Sequence, residues 1–121
     1  MRALIVDDSA YMRKILADIV LDLKWEISGE AGTGEEAIES YKKLRPDIVL
    51  MDVVMPGIGG IEATRKIKVY DPSAKVVLIT AVGTQIAIMD EAIAAGGEKT
   101  YVTKPFDNEL VKEVLMKIAS A

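Results

Sequence analysis

Short apolar runs alternate along the chain with longer stretches of helical periodicity. Five runs have the length and composition of β-strands, at residues 3–6, 25–31, 47–51, 75–80 and 100–103. Residues 3–6, 48–51 and 76–79 are apolar throughout, which is typical of strands buried on both faces of a parallel sheet. The run at 25–31 mixes polar and apolar residues, so we expect it at an edge of the sheet.

The stretches between these runs carry apolar residues three and four positions apart, the spacing of helices with one buried face. The five predicted stripes are Met12, Ile15, Leu16, Ile19, Val20 and Leu23; Ala37, Ile38, Tyr41 and Leu44; Ile61, Thr64 and Ile67; Ile86, Met89, Ala92 and Ile93; and Leu110, Val111, Val114, Leu115 and Ile118. The third and fourth helices are predicted near 59–70 and 84–95. Thr33, in a capping box with Glu36, and Asp107 are predicted N-caps.

This fivefold strand–helix alternation predicts an α/β fold, with a doubly wound parallel sheet, right-handed crossovers and helices on both faces. The length of 121 residues and the lack of any linker or repeat predict one domain over residues 1–121. In such a fold, ligands bind beyond the carboxyl ends of the strands. The residues that follow the strands are therefore the first candidates for function.

Composition removes several kinds of chemistry. The chain has no cysteine and no histidine, which excludes disulfides, zinc thiolate sites and histidine-based catalysis within this chain. A net charge of −4 argues against nucleic acid as a partner. No apolar run approaches the length of a membrane span, and no signal peptide is recognisable. We therefore expect a cytoplasmic protein that contacts neither membrane nor nucleic acid.

Five polar residues stand at the ends of four different predicted strands: Asp7, Asp8, Asp52, Thr80 and Lys104. Each alone is more often a turn or surface residue than a functional one. Together they should converge on one edge of the sheet, where three carboxylates need a cation, and Mg²⁺ is the hard ion that suits oxygen ligands. One carboxylate could then act as nucleophile toward a phosphoryl group, with the threonine hydroxyl and the lysine facing its oxygens. No nucleotide-binding Gly-x-x-x-x-Gly-Lys loop is present, so the phosphoryl group must come from another molecule.

Four segments, "LIVDDS", "DIVLMDVVMPGIGGIEA", "VLITA" and "YVTKPF", together resemble the receiver domain of two-component response regulators, and most closely its stand-alone chemotaxis members. The resemblance covers essentially the whole chain and implies a flavodoxin-like sheet of order 2-1-3-4-5. It implies that Asp52 is the phosphoacceptor. It further implies that Mg²⁺ is held by Asp7, Asp8, Asp52 and the backbone carbonyl of Val54.

The same resemblance assigns the remaining site residues. Thr80 and Lys104 would each bond an oxygen of the phosphoryl group. Thr80 and Tyr101 would form a switch that turns inward on activation. The peptide bond before Pro105 would be cis, as X-Pro bonds allow at low cost.

A chemotaxis response regulator is therefore the function that the sequence predicts. It would take a phosphoryl group from a chemotaxis histidine kinase and, as a monomer, bind a motility-motor switch component or its adaptor. Binding would use the face formed by the fourth helix, fifth strand and fifth helix. Apart from its own phosphorylation and dephosphorylation it would catalyse nothing.

Three alternatives remain open at this point. A phosphorelay intermediate, which passes the phosphoryl group onward, would use the same residues. A phosphatase-like hydrolase with an aspartate nucleophile usually has a second acid two positions later, where this chain has Val54. A small FMN-binding protein would need a phosphate loop after the first strand, which the sequence lacks.

Two departures from the family pattern bear on behaviour. Val54 and Val82 occupy positions that flank the path of hydrolytic water, where bacterial relatives often carry Asn at the first and others an acid at the second, so slow loss of the phosphoryl group is expected. The fourth helix is apolar and acidic where bacterial relatives are basic. Its Ile86, Ile88 and Met89 either belong to the core or form a partner surface resembling the archaeal type, which acts through an adaptor.

Overall fold

The computed structural model describes residues 1–121 and contains five strands alternating with five helices. The elements in chain order are β1 (Arg2–Val6), α1 (Ala10–Asp22), β2 (Glu26–Ala31), α2 (Gly34–Leu44), β3 (Ile48–Asp52), α3 (Gly59–Tyr70), β4 (Val76–Ala81), α4 (Ile86–Ala94), β5 (Val102–Lys104) and α5 (Asn108–Ala119). None of the helices combines the length and apolarity that a membrane span requires.

All strand pairs are parallel, in the order β2-β1-β3-β4-β5. The predicted fold class and strand order are confirmed, and β2 is an edge strand as its mixed composition indicated. Residues 3–6, 48–51 and 76–79 are inaccessible to solvent. Side chains of these strands point alternately to two faces, so one apolar core forms beneath α2, α3 and α4 and another beneath α1 and α5.

Both predicted N-caps form. The hydroxyl of Thr33 accepts a hydrogen bond from the Glu36 amide at 3.1 Å, and the Asp107 carboxylate accepts one from the Glu109 amide at 2.9 Å. The Glu36 carboxylate does not return to the Thr33 amide, as a capping box requires, but accepts from the amide of Gly32 at 3.1 Å. The sequence pattern thus predicted the start of α2 correctly. The amide that donates to Glu36 lies one residue earlier than the capping box predicts.

Several predicted boundaries and core positions were wrong. β5 begins at Val102 rather than at residue 100, and β4 continues past Thr80 to Ala81. Ile86 and Leu110 were placed in buried stripes but are 80% and 55% exposed. Both lie in the first turn of a helix, near the edge where the strands end, so little of the sheet is available to cover them.

Candidate functional site

An acidic cluster lies at the carboxyl edge of the sheet, the edge at which the strands end. Asp52 ends β3 and Asp7 follows β1, and these two strands are direct neighbours. Together with Asp8, they offer carboxylate oxygens that all lie within 4.8 Å of one another. Asp7 and Asp52 are buried whereas Asp8 is exposed. Three convergent oxygen donors with one side open to solvent fit a hard divalent cation such as Mg²⁺.

Asp7 is held in place from three directions. One carboxylate oxygen accepts from the Ser9 amide at 2.9 Å, and the other accepts from the Lys104 ammonium at 2.7 Å. The guanidinium of Arg13 donates to the backbone carbonyl of Asp7 at 2.7 Å and also to the Glu30 carboxylate at 3.0 Å. Sequence reasoning missed Arg13. The available signal was a cation in the second turn of α1, close to the helix N-terminus, where the helix dipole disfavours positive charge.

Lys104 reaches the acidic cluster from β5, which is separated from β1 by β3 and β4. Its ammonium lies 3.4 Å from a carboxylate oxygen of Asp52, besides the shorter contact with Asp7. Burial alone would lower the pKa of Lys104, but the hydrogen bond to Asp7 and the charges of both aspartates outweigh it and raise the pKa. Lys104 is therefore a cation that partly neutralises the cluster.

Asp52 has the properties of a nucleophile that is ionised at neutral pH. Burial raises its pKa to about 6, and the negative charge of Asp7 adds to that rise. The ammonium of Lys104 and a hydrogen bond from the Val54 amide, at 3.3 Å, act in the opposite direction. The carboxylate is thus poorly solvated yet still an anion at pH 7, the state in which its lone pairs are available for bond formation.

The loop after Asp52 is packed tightly against the strand end by Gly60. The amide of Gly60 donates to the carbonyl of Val53 at 3.1 Å. A Cβ atom at Gly60 would overlap the backbone carbonyl of Asp52. This close approach of α3 to the end of β3 was not predicted, since one glycine among several in "MPGIGGIEA" carries no distinguishing signal.

The two predicted switch residues lie on or next to the strands beside Asp52: Thr80 directly follows Ile79, the partner of Asp52 on β4, and Tyr101 precedes β5. Thr80 is 2% exposed, and its hydroxyl is bonded at 2.7 Å to that of Thr84, a residue the sequence did not single out. Tyr101 is 41% exposed. The peptide bond between Lys104 and Pro105 is cis, as the resemblance implied.

Two apolar side chains stand at the rim of the site. Val54, two residues beyond Asp52, is 62% exposed, and Val82, two beyond Thr80, is 71% exposed. Neither belongs to a core cluster. The rim of the site after β3 and β4 is therefore lined by methyl groups.

The sequence left two interpretations of the apolar residues of α4, core packing or a partner surface, and different residues fit each one. Met89 is 5% exposed and belongs to the core, and Ile88 is partly buried against it. Ile86 projects into solvent, as do Asp90 and Glu91. Core packing thus explains Met89 but not Ile86.

Comparison with known proteins matches residues 3–116 to the response regulator receiver domain. The chemotaxis protein CheY of Thermotoga maritima is 48% identical over 118 residues, which cover 98% of this chain and 97% of that protein. The protein of the same name in Halobacterium salinarum is 42% identical, covering 99% of this chain and 98% of its own length. A solved CheX–CheY–BeF3–Mg²⁺ complex from Borrelia burgdorferi contains a chain with a TM-score of 0.90 and 33% identity, over 98% of this chain and 88% of that one.

Proposed function

Because this chain belongs to the response regulator receiver domain family, as the receiver domain of a CheY-type chemotaxis response regulator, we propose that Asp52 accepts a phosphoryl group from a phosphohistidine of a partner kinase. The observation that supports this role is the position of Asp52 itself. It is a buried carboxylate at a strand end, within the cluster formed with Asp7 and Asp8 and 3.4 Å from the ammonium of Lys104.

In the proposed reaction, a lone pair of the Asp52 carboxylate attacks the phosphorus atom. An oxygen–phosphorus bond forms, the phosphorus–nitrogen bond of the donor breaks, and its electrons return to the imidazole nitrogen, which takes up a proton. Lys104 faces the negative charge that the transferred group brings and, by moving from Asp7 toward it, exchanges one anionic partner for another. The Thr80 hydroxyl would supply a further hydrogen bond to the phosphoryl group. The domain would modify only itself and turn over no external substrate.

The donor set fits Mg²⁺, which Asp7, Asp8, Asp52 and the backbone carbonyl of Val54 would hold. When bound, the ion supplies positive charge that offsets the carboxylates and the phosphoryl oxygens. The related Borrelia CheY is named in its solved complex with BeF3 and Mg²⁺, which supports this assignment.

Output is proposed to depend on binding through the face formed by α4, β5 and α5. Several apolar side chains are exposed on or next to this face: Val82, Ile86, Tyr101 and Leu110. The exposed acid Asp90 lies one turn after Ile86 on the same face of α4. An apolar surface with negative charge favours a basic partner. We therefore propose an adaptor of the motility motor, or a motor component, with a positively charged contact surface.

Phosphotransfer from a chemotaxis kinase carrying labelled phosphate tests this function. Wild-type protein and the surface variant Asp90→Asn should become labelled only when Mg²⁺ is present, and Asp52→Asn should stay unlabelled. In a beryllofluoride titration followed by NMR, wild type and Asp90→Asn should respond and Asp52→Asn should not. In the wild type, the chemical-shift changes should extend to α4 and β5. Labelling of Asp52→Asn to the wild-type level would overturn the assignment of Asp52.

A further inference from the structure

Two threonine hydroxyls and one carbonyl form a hydrogen-bonded chain beside the site. Thr80 Oγ1 lies 2.7 Å from Thr84 Oγ1, and Thr84 Oγ1 lies 2.7 Å from the carbonyl oxygen of Ala81. A carbonyl can only accept, so the single hydroxyl proton of Thr84 is donated to the Ala81 carbonyl. The bond between the two hydroxyls must then use the proton of Thr80. In this state, Thr80 has no proton left for a phosphoryl oxygen.

The position of Thr84 is fixed by the turn that follows β4. Its amide donates to the same Ala81 carbonyl at 3.2 Å, and Gly83 adopts a φ of +89° that favours glycine. Thr84 is therefore tied to Ala81 by both its backbone and its side chain. Its oxygen is presented to Thr80 as a preformed acceptor.

We propose that Thr84 is a positioning residue that holds the Thr80 hydroxyl in the unphosphorylated state and competes with the phosphoryl group for its proton. This inference rests on the proposed function, because it assumes that Thr80 bonds a phosphoryl oxygen. The competition is possible because Thr80 is 2% exposed, so water has little access to its proton. Thr84 is only partly buried, so water can solvate its hydroxyl after release.

The same bond connects the site to α4. Thr84 directly precedes Gln85, the N-cap of α4, and Gln85 makes no side-chain capping bond. When Thr80 releases Thr84, the turn that sets the start of this helix loses one of the hydrogen bonds that hold it. The next residue is Ile86, the first residue of α4 and the most exposed apolar side chain of the face formed by α4, β5 and α5.

Beryllofluoride affinity at saturating Mg²⁺ tests the competition. Thr84→Val keeps the shape of the side chain but removes the acceptor, so binding should tighten by a factor of about five, the equivalent of one ordinary hydrogen bond. Thr84→Ser keeps the hydroxyl and should bind as the wild type does. Thr80→Val should bind more weakly, and adding Thr84→Val to it should have no further effect on affinity.

A structural role for Thr84 alone predicts a different result, since it would change stability without tightening binding. Unchanged or weaker binding by Thr84→Val, with weaker binding by Thr80→Val, overturns this inference and leaves the proposed function standing. Wild-type affinity in Thr80→Val overturns the proposed role of Thr80 and the inference with it. If Thr84→Val does not fold, Thr84→Ala provides the same comparison.

Discussion

The ammonium of Lys104 donates to a carboxylate oxygen of Asp7 at 2.7 Å, and it lies closer to Asp7 than to Asp52, at 3.4 Å. In the unphosphorylated protein, Lys104 is thus bound to a proposed metal ligand instead of being free for the phosphoryl group. The Asp7 side chain is 1% exposed and that of Lys104 is 21% exposed. The Lys104 ammonium is therefore the internal counterion of the acidic cluster, and Mg²⁺ has to compete with this ammonium for the carboxylates.

Lys104→Met should destabilise the metal-free protein and tighten its hold on Mg²⁺. The variant leaves two buried carboxylates without their cation, and we expect a loss of about 2 kcal/mol in the free energy of unfolding at neutral pH. Mg²⁺ should return more stability to this variant than to the wild type, because the ion no longer displaces an ammonium. Urea denaturation with Mg²⁺ and with a chelator measures both effects.

Lys112→Met is the matched control for Lys104→Met. Lys112 also pairs with two acids, Asp22 at 3.2 Å and Glu109 at 3.1 Å, but these partners are 67% and 77% exposed. Exposed pairs contribute little to stability. Equal responses of the two variants to Mg²⁺ would contradict the counterion role of Lys104.

The raised pKa of Asp52 predicts a particular dependence of stability on pH. Its folded-state pKa of about 6 exceeds the unfolded value of 3.8, so the folded state binds the proton more tightly. The stabilisation from this proton is complete below the unfolded pKa and is lost as the pH rises through the folded one. Metal-free Asp52→Asn should lack this loss and be more stable than the wild type at pH 7 by about 2 kcal/mol, allowing for screening at the open side.

Urea denaturation in chelator between pH 4 and pH 8 measures that difference as a function of pH. The stability curves of Asp52→Asn and wild type should converge toward pH 4, diverge between pH 4 and pH 6, the window that the two pKa values define, and stay a constant distance apart above it. Asp90→Asn, which alters an exposed acid on α4, should follow the wild-type curve. A constant offset between Asp52→Asn and wild type at all pH values would attribute the gain to packing and not to the buried charge.

Val54 at the rim of the site predicts a long-lived phosphoryl group. Its methyl groups cannot orient a water molecule, whereas an asparagine amide can. Val54→Asn should therefore shorten the phosphoryl lifetime roughly tenfold, the effect of about 1.4 kcal/mol of added transition-state stabilisation. Loss of labelled phosphate from purified phosphoprotein gives the rate. Val69→Asn, on an 80% exposed position of α3, is the control for the same substitution elsewhere, and equal lifetimes of Val54→Asn and wild type would refute the explanation.

The parts of the structure that follow from periodicity were predictable from the sequence. Continuous apolar runs predicted the buried strands, because such runs are stable only where both faces of the strand are covered. Asp7, Asp8 and Asp52 could be placed together because parallel strands end at one edge. Ile86 could not be assigned, since the stripe of α4 does not tell which of its turns the sheet covers.

Contacts that depend on distance in space were not predictable. Arg13 reaches the Asp7 carbonyl across the β1–α1 loop, and Thr84 meets Thr80 only because the turn after β4 folds back. Each of these residues has an ordinary surface interpretation in the sequence. Their roles depend on loop geometry, which hydrophobic periodicity does not encode.

Gly60 and its neighbour Gly59 provide the sharpest comparison of the roles of two adjacent residues. A methyl group at Gly60 would overlap the Asp52 carbonyl, whereas one at Gly59 would meet no atom within 4 Å. Gly60→Ala should therefore cost about 3 kcal/mol of stability and displace the end of β3 that carries Asp52. Gly59→Ala should cost only about 1 kcal/mol, because its φ of +77° is strained for alanine.

Mg²⁺ affinity separates the two effects further. Gly60→Ala moves a ligand of the proposed site and should bind Mg²⁺ several times more weakly, while Gly59→Ala should retain wild-type affinity. Stability from urea denaturation and affinity from a calorimetric titration can be measured on the same samples. Because Gly60 lies on α3 and the atoms nearest to an added Cβ there are backbone atoms of Asp52 and Val53, weak Mg²⁺ binding in a folded Gly60→Ala protein would show that the position of the β3 terminus governs the metal site. Unchanged affinity would show that the Asp52 side chain adapts to that displacement.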